Sequence, residues 1–204
     1  GSKTSLSLGV SANSVKRSGS GWRVDTSAGA VIARTVVDTR PPTRIPTYGQ
    51  FFLGSEIKTE RSVFNPDVVQ LMQFRRSQSV GVDFVYILPF AKDRALVEVT
   101  SFAPQNPGRN VFNGWLDAEI EALNPGKTKT LRTEMGALPM EAGFLDPAPD
   151  GIIRMGLGSG AARPSTGYAF TRTQIQADQV ARALIRGHVP NTVLDGPMNR
   201  FMDR

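Results

Sequence analysis

Apolar and polar positions alternate over short stretches through much of the chain, the period expected of half-buried β-strands. Residues 6 to 15 and 22 to 26 are strand-like, parted by the turn-rich Lys16-Arg17-Ser18-Gly19-Ser20-Gly21. Val31 to Asp38 follows the turn at Ser27-Ala28-Gly29, so a three-stranded meander is expected. Pro41, Pro42 and Pro46 then block regular structure and mark a crossing between lobes. From Tyr48 to Phe102 the strand signals resume at Gln50 to Glu60, Gln70 to Arg75, Phe84 to Phe90 and Ala95 to Phe102. Asn65-Pro66-Asp67 and Lys92-Asp93 are the turns, and the pattern predicts an antiparallel sheet. The run Phe84-Val85-Tyr86-Ile87-Leu88-Pro89-Phe90 is apolar at both parities, so both faces of that strand need cover from protein or an apolar cavity.

The period lengthens at Gly108 to Leu123, where Trp115, Leu116, Glu119, Ile120 and Leu123 predict a helix ended by Asn124-Pro125-Gly126. Gly151 to Met155 is a short buried strand, followed by a glycine-rich loop and a second helix. Ala177, Val180, Ala181 and Leu184 give that helix an apolar stripe, and Gly187 ends it. The expected fold class is α+β in two lobes: residues 1–40 and 148–190 in one, 48–145 in the other. Residues 191–204 begin a further region. Proline crossings at 41 to 46 and 147 to 149 set these boundaries.

Composition narrows the chemistry. With no cysteine and one histidine, His188, thiolate metal sites, disulfides, cysteine nucleophiles and multi-histidine centres are excluded. His188 follows Gly187 at a helix end, a place suited to a capping cation. The net charge of +6 and pI near 10.1 fit nucleic acid, an anionic membrane surface or acidic substrates. The positive residues are scattered, with no run longer than Arg75-Arg76, which argues against nucleic acid. The longest apolar stretch, Phe84 to Ala91, is far shorter than the ~20 residues of a membrane-spanning helix. Gly1-Ser2-Lys3 has no hydrophobic signal core after it, and an intracellular protein is expected.

Gly156-Leu157-Gly158-Ser159-Gly160-Ala161 fits the dinucleotide pattern G-x-G-x-x-A at a strand-to-helix junction. A first-strand nucleotide site also needs a second strand ending in an acid about 20 residues on, and Asp178 lies instead within the helical pattern. The residues alone leave two readings open, a plain glycine-rich turn and a second loop touching a cofactor.

The stretch from Met155 through Ala162-Arg163-Pro164-Ser165-Thr166-Gly167-Tyr168-Ala169-Phe170 resembles the loop of lycopene cyclases that closes over the flavin. Phe84 to Phe90 and Arg94-Ala95-Leu96-Val97-Glu98-Val99-Thr100 resemble the same family's central substrate-lobe strands. Gln50-Phe51-Phe52-Leu53-Gly54, Phe64-Asn65-Pro66-Asp67, Leu71-Met72-Gln73-Phe74-Arg75 and Glu134-Met135-Gly136-Ala137-Leu138-Pro139-Met140 continue the likeness in order. Gly21 to Arg40 resembles the flavin-lobe ribbon, so the similarity covers nearly the whole chain. The family's N-terminal βαβ unit with G-x-G-x-x-G, and its C-terminal helices, have no counterpart in these residues. Ser55 stands where bacterial members carry Trp. The resemblance therefore implies a fragment of a two-lobed flavoprotein, with weak or no FAD binding by this piece alone.

The resemblance also implies the activity: proton-initiated, non-redox closure of a β-ionone ring on lycopene or a related carotenoid. It implies reduced FAD, NADPH as electron source, and a peripheral position on the inner membrane. Gly156, Gly158, Ser159, Gly160, Ala161, Thr166 and Gly167 would face the flavin. Strand alternation places Leu96, Glu98, Thr100 and Phe102 on one face. The resemblance makes Glu98 the catalytic carboxylate, with Glu134 and Glu141 as competitors. Phe84, Tyr86, Phe90 and Phe102 are candidates to line a dry substrate tunnel, against the plainer reading of each as ordinary core. Two other functions remain open: a non-catalytic module holding an apolar ligand, and a related flavoprotein activity such as prenyl reduction or hydroxylation.

Overall fold

The computed structural model describes residues 4–75, 80–141 and 149–188. Chain order begins with β1 (Ala12–Ser18), β2 (Gly21–Thr26), β3 (Gly29–Ala33) and β4 (Val37–Asp38). Next come β5 (Gly49–Thr59), β6 (Gln70–Phe74), β7 (Val82–Ala91), β8 (Arg94–Ala103), helix α1 (Arg109–Ala122) and β9 (Thr128–Pro139). Last are β10 (Ile153–Arg154), a single 3-10 turn at Gly156–Ser159 and helix α2 (Phe170–Ile185).

Strands β1 to β3 form the antiparallel meander, but its first strand starts later than the alternation predicts. Lys16, Arg17 and Ser18 belong to the ladder rather than to the turn. Polar residues suit this strand because they find partners across it: Ser14 donates to Asp25 at 2.9 Å, and Arg17 lies 4.1 Å over the Trp22 ring. The expected strand Val31 to Asp38 is split. β3 ends at Ala33, and β4 leaves the meander to pair in parallel with β10. Asp38 explains the departure, because it is buried and needs cations that β10 and the residues after β4 provide. Arg154 Nη1 lies 2.7 Å and Arg40 Nη2 2.8 Å from its Oδ2.

The largest sheet has the order β6-β7-β8-β5-β9 and is antiparallel throughout. β9 is not evident in the sequence as a strand. It is an edge strand whose first half is exposed, so residues such as Thr128, Lys129, Thr130 and Arg132 carry no apolar period. Helix α1 covers one sheet face. Phe51, Leu53 and Ile57 of β5, Val85 and Ile87 of β7, and Ala95, Val97 and Val99 of β8 pack with Phe112 and Leu116 of α1. Each large side chain buried there contributes about 1.5–3 kcal/mol. Asn124 at φ 50 turns the chain out of the helix ahead of Pro125.

Helix α2 forms where expected but buries only Val180 of the expected stripe, together with Gln176. Gln176 and Val180 point inward, whereas Ala177, Ala181 and Leu184 are exposed. The glycine loop before the helix has a backbone N–H that needs an acceptor, and Gln176 supplies it. Gly187 at φ 71 and the bond from His188 N–H to the Ala183 carbonyl close the helix end through backbone. Among the described residues no helix is long and apolar enough to cross a membrane.

Candidate active site

The sheet face opposite α1 carries the carboxylates. Alternation along β8 presents Leu96, Glu98, Thr100 and Phe102 there, with Tyr86 of β7 directly opposite Glu98. On the other side Glu98 pairs with Gly54 of β5, and Gly54 pairs in turn with Glu134 of β9. The backbones of β8 and β9 are therefore about 9.6 Å apart, two strand spacings. Their carboxyl groups nevertheless meet, because the strand between them has no side chain at this point. A Cβ on Gly54 would lie 3.3 Å from Glu98 Cβ, 3.3 Å from Glu134 Cγ and 3.2 Å from Leu96 Cδ1.

Burial pushes the Glu98 carboxyl up to about 7, and the charge and hydrogen bond of Glu134 push the same way. Thr100 Oγ1, donating to Glu98 Oε1 at 3.1 Å, opposes them. A carboxyl with that value keeps a proton near neutral pH, as a general acid requires. Arg132 lies 3.2 Å from Glu134 and 3.7 Å from Glu56, and Glu56 also pairs with Arg94. The third candidate, Glu141, is otherwise engaged. Burial works to raise its carboxyl, but hydrogen bonds from the Thr47 backbone and hydroxyl, Arg44 and Tyr48 hold it below the ordinary value.

Beside Glu98 sits a cluster of aromatic rings. Phe84 is fully buried and meets Tyr86 at 5.4 Å, Phe102 at 5.0 Å and Phe74 at 6.0 Å between centroids, all edge to face. Burial first, then the charge of Glu98, raises the Tyr86 hydroxyl above its ordinary value. Phe90 is not part of the cluster. It falls at a bulge near the strand end, is exposed, and lies under the Arg94 guanidinium at 5.4 Å. Phe74 and Phe52 belong to this face but were not singled out by sequence reasoning. Alternation within β5 and β6 contained the signal, since Phe52 is aligned with Thr100 and Phe74 with Phe84.

The glycine-rich loop is closed upon itself. Gly160 N–H donates to the Leu157 carbonyl, Ala161 N–H to that of Gly156, and Gly156 N–H to Gln176 Oε1 at 2.9 Å. Ser159 Oγ donates to the Gly156 carbonyl at 3.0 Å and accepts from Gln176 Nε2 at 2.6 Å. Gly158 and Ala161 are buried, and a Cβ on Gly158 would lie 2.8 Å from Arg154 Nη2. Gln176, fully buried, holds this loop in shape, a part that the apolar stripe read from α2 concealed.

The next turn touches the sheet. Gly167, at φ 69, donates its N–H to the Arg163 carbonyl, and a Cβ there would meet Gln50 Oε1 at 2.8 Å. Thr166 Oγ1 accepts from Tyr168 N–H. The loop is poorly suited to hold a pyrophosphate. Three loop N–H groups are consumed internally, and α2 does not begin until Phe170. An added Cβ on Gly156 meets nothing within 4 Å, which leaves the turn open to close approach.

The sequence profile described as lycopene cyclase protein matches residues 10–198. Lycopene β-cyclases of Paracoccus sp. (strain N81106 / MBIC 01143) and Pseudescherichia vulneris are 32% and 31% identical over 73% and 79% of this chain. The chain spans 40% and 44% of the length of those relatives. A geranylgeranyl bacteriochlorophyll reductase-like protein from Thermoplasma acidophilum superposes on 95% of this chain and 52% of its own, with a TM-score of 0.63 at 15% identity. The rebeccamycin biosynthetic enzyme RebC with reduced flavin superposes on 87% of this chain and 36% of its own, with a TM-score of 0.51 at 14% identity. The fold is thus shared with these two solved proteins, and by sequence the chain belongs to the lycopene cyclase family.

Proposed function

We propose that this chain is part of a flavin-dependent lycopene β-cyclase in which Glu98 is the proton donor. The observation that carries the reading is a carboxyl pushed up to about 7 beside a cluster of aromatic rings. In the proposed reaction Glu98 gives its proton to the terminal double bond of an acyclic carotenoid. The tertiary cation is attacked by an internal double bond, and loss of a ring proton leaves the β-ionone ring. Phe84, Tyr86 and Phe102 keep water away from the cation and offer it π density. Glu134 is the second carboxylate of the site.

Gly156, Gly158, Ser159, Gly160, Ala161, Thr166 and Gly167 are proposed to lie against FAD, with Gln176 holding their turn in shape. Held by these residues, reduced FAD, with NADPH as its electron source, would supply electron density that stabilises a cationic intermediate. Residues 1–40 and 148–190 are proposed to form one lobe and 48–145 the other. The separate sheets and the parallel pairing of β4 with β10 support that division. A carotenoid is soluble in the bilayer rather than in water, which supports a peripheral place on the inner membrane.

The test is Glu98→Gln in the full-length enzyme with reduced FAD and lycopene, measuring bound flavin and cyclic product. Normal flavin content with activity reduced at least a hundredfold is expected; cyclisation within a few-fold of the parent would overturn the assignment. Neighbours that share the fold carry names of reductases and other biosynthetic enzymes. Product that has gained two hydrogens or an oxygen would favour such a reaction over ring closure.

A further inference from the structure

We propose that Gly54 is a positioning residue whose missing side chain lets Glu134 reach across β5 onto Glu98, so that the two carboxyl groups hold one proton between them. The proposal rests on Glu98 being the proton donor. The geometry is unusual for a sheet, where residues two strands apart do not normally touch. Here Gly54 is paired with both glutamates and is buried against both side chains. Its φ is not in the left-handed region, so the backbone does not require glycine at this position. What favours glycine is the space above it, where a Cβ would crowd Leu96, Glu98 and Glu134 and each would have to give by a few tenths of an ångström.

Two carboxyl groups in contact resist double ionisation, which keeps one proton on the pair near neutral pH. The two sides of the pair differ. Glu134 bears the Arg132 guanidinium at 3.2 Å. Glu98 faces Tyr86, Thr100 and Leu96 and carries the proton. Among the described residues the other charged groups on this face are Glu56 and Lys58 on β5, Arg132 and Lys129 on β9, and Arg94 on the strand of Glu98 itself.

The arrangement also closes the reaction cycle. Proton transfer breaks the Glu98 O–H bond and forms a C–H bond at the alkene, leaving a doubly ionised pair. The ring carbon that becomes part of the new double bond then loses its proton, and the pair takes it up. The C–H bond breaks, an O–H bond re-forms, and the substrate has gained and lost one proton. No oxidant, reductant or external base is needed for this exchange.

The test uses the full-length enzyme with reduced FAD and lycopene in vesicles, and reads kcat/KM from pH 5 to 9 for Glu134→Gln, Gly54→Ala and the double variant. Activity that depends on protonated Glu98 falls as pH rises through its pKa. Removing the neighbouring charge lowers that pKa, so the fall moves to lower pH, by about one unit for Glu134→Gln. At pH 7.5 the expected loss is about tenfold, against less than about threefold at pH 5.5. Gly54→Ala moves the fall in the same direction by less, and the double variant moves it no further than Glu134→Gln alone, because both act on one contact.

A midpoint unmoved in Glu134→Gln, a loss equal at every pH, or shifts that add in the double variant would overturn the pairing. Bound flavin reports folding; if Gly54→Ala loses it, the Glu134→Gln profile decides. Glu98→Gln, run alongside, separates the two failures, since its retained activity would refute the donor assignment and its loss with an unmoved Glu134→Gln midpoint refutes only the pairing.

Discussion

Raising the pKa of Glu98 in the fold must cost stability at high pH, and that cost can be measured without substrate or cofactor. In the unfolded chain the carboxyl titrates near 4.5, and in the folded chain burial pushes it to about 7. Below 4.5 both states hold the proton, and the buried acid carries no charge penalty. Between 4.5 and about 7 the folded state binds more protons than the unfolded state, so stability falls as pH rises, and above about 7 the full loss persists. At about 1.4 kcal/mol per pH unit, the gap sets a ceiling of about 3 kcal/mol. Glu98 keeps some contact with water, which brings the expectation to about 2 kcal/mol. Glu98→Gln removes the charge but keeps the shape, so the variant should match the parent at pH 4.5 and exceed it by about 2 kcal/mol at pH 8. Urea unfolding of both chains at pH 4.5, 6, 7 and 8 reads the difference directly. A variant equal to or less stable than the parent at pH 8 would refute the claim that the carboxyl is desolvated.

Asp38→Asn tests the link between β4 and β10. Hydrogen bonds from Arg40, with Arg154 beside it, hold the Asp38 carboxyl down to about 2 although burial opposes them. Its contribution is present above 3.8 and lost as pH falls through about 2, so the variant should cost about 2 kcal/mol at pH 7 and little at pH 2, measured by urea unfolding. Gln176→Leu keeps the volume but strips the Gly156 N–H and Ser159 Oγ of their partner. The full-length enzyme should then hold FAD about tenfold less tightly, as read by fluorescence titration, with the main sheet's stability unchanged. Phe84→Ala should cost about 3–5 kcal/mol in urea unfolding, because a fully buried ring with three aromatic neighbours is removed.

The large sheet was legible where one face is core. The residues of β5, β7 and β8 announce themselves because Phe51, Leu53, Val85, Ile87, Val97 and Val99 repeat with the period of a strand packed on a helix. β9 was not, since an exposed edge of threonines and lysines has no such period. The stripe on α2 misled for a related reason: it assumed that burial selects apolar residues, whereas the loop demanded an amide, and Gln176 took the inward place. Glu98 could be placed on a face with Thr100 and Phe102 from alternation alone. Its meeting with Glu134 could not, because it depends on β5 lying between β8 and β9 with Gly54 at the crossing point. That order is a long-range property of the sheet, fixed by burial and strand pairing rather than by neighbours in sequence.

In the proposed reaction a carboxyl on this sheet starts ring closure by giving a proton to carbon, with no net transfer of electrons. The most direct measurement is the mass of the product formed in D2O by the full-length enzyme with reduced FAD, with reductant consumption followed in parallel. The Glu98 proton exchanges with solvent between turnovers, so each β-ring should carry one deuterium and consume no stoichiometric NADPH. A cyclic product without deuterium would contradict proton donation from an exchangeable carboxyl. A product two hydrogens heavier than the substrate, formed with one NADPH per event, would contradict the cyclase reading itself.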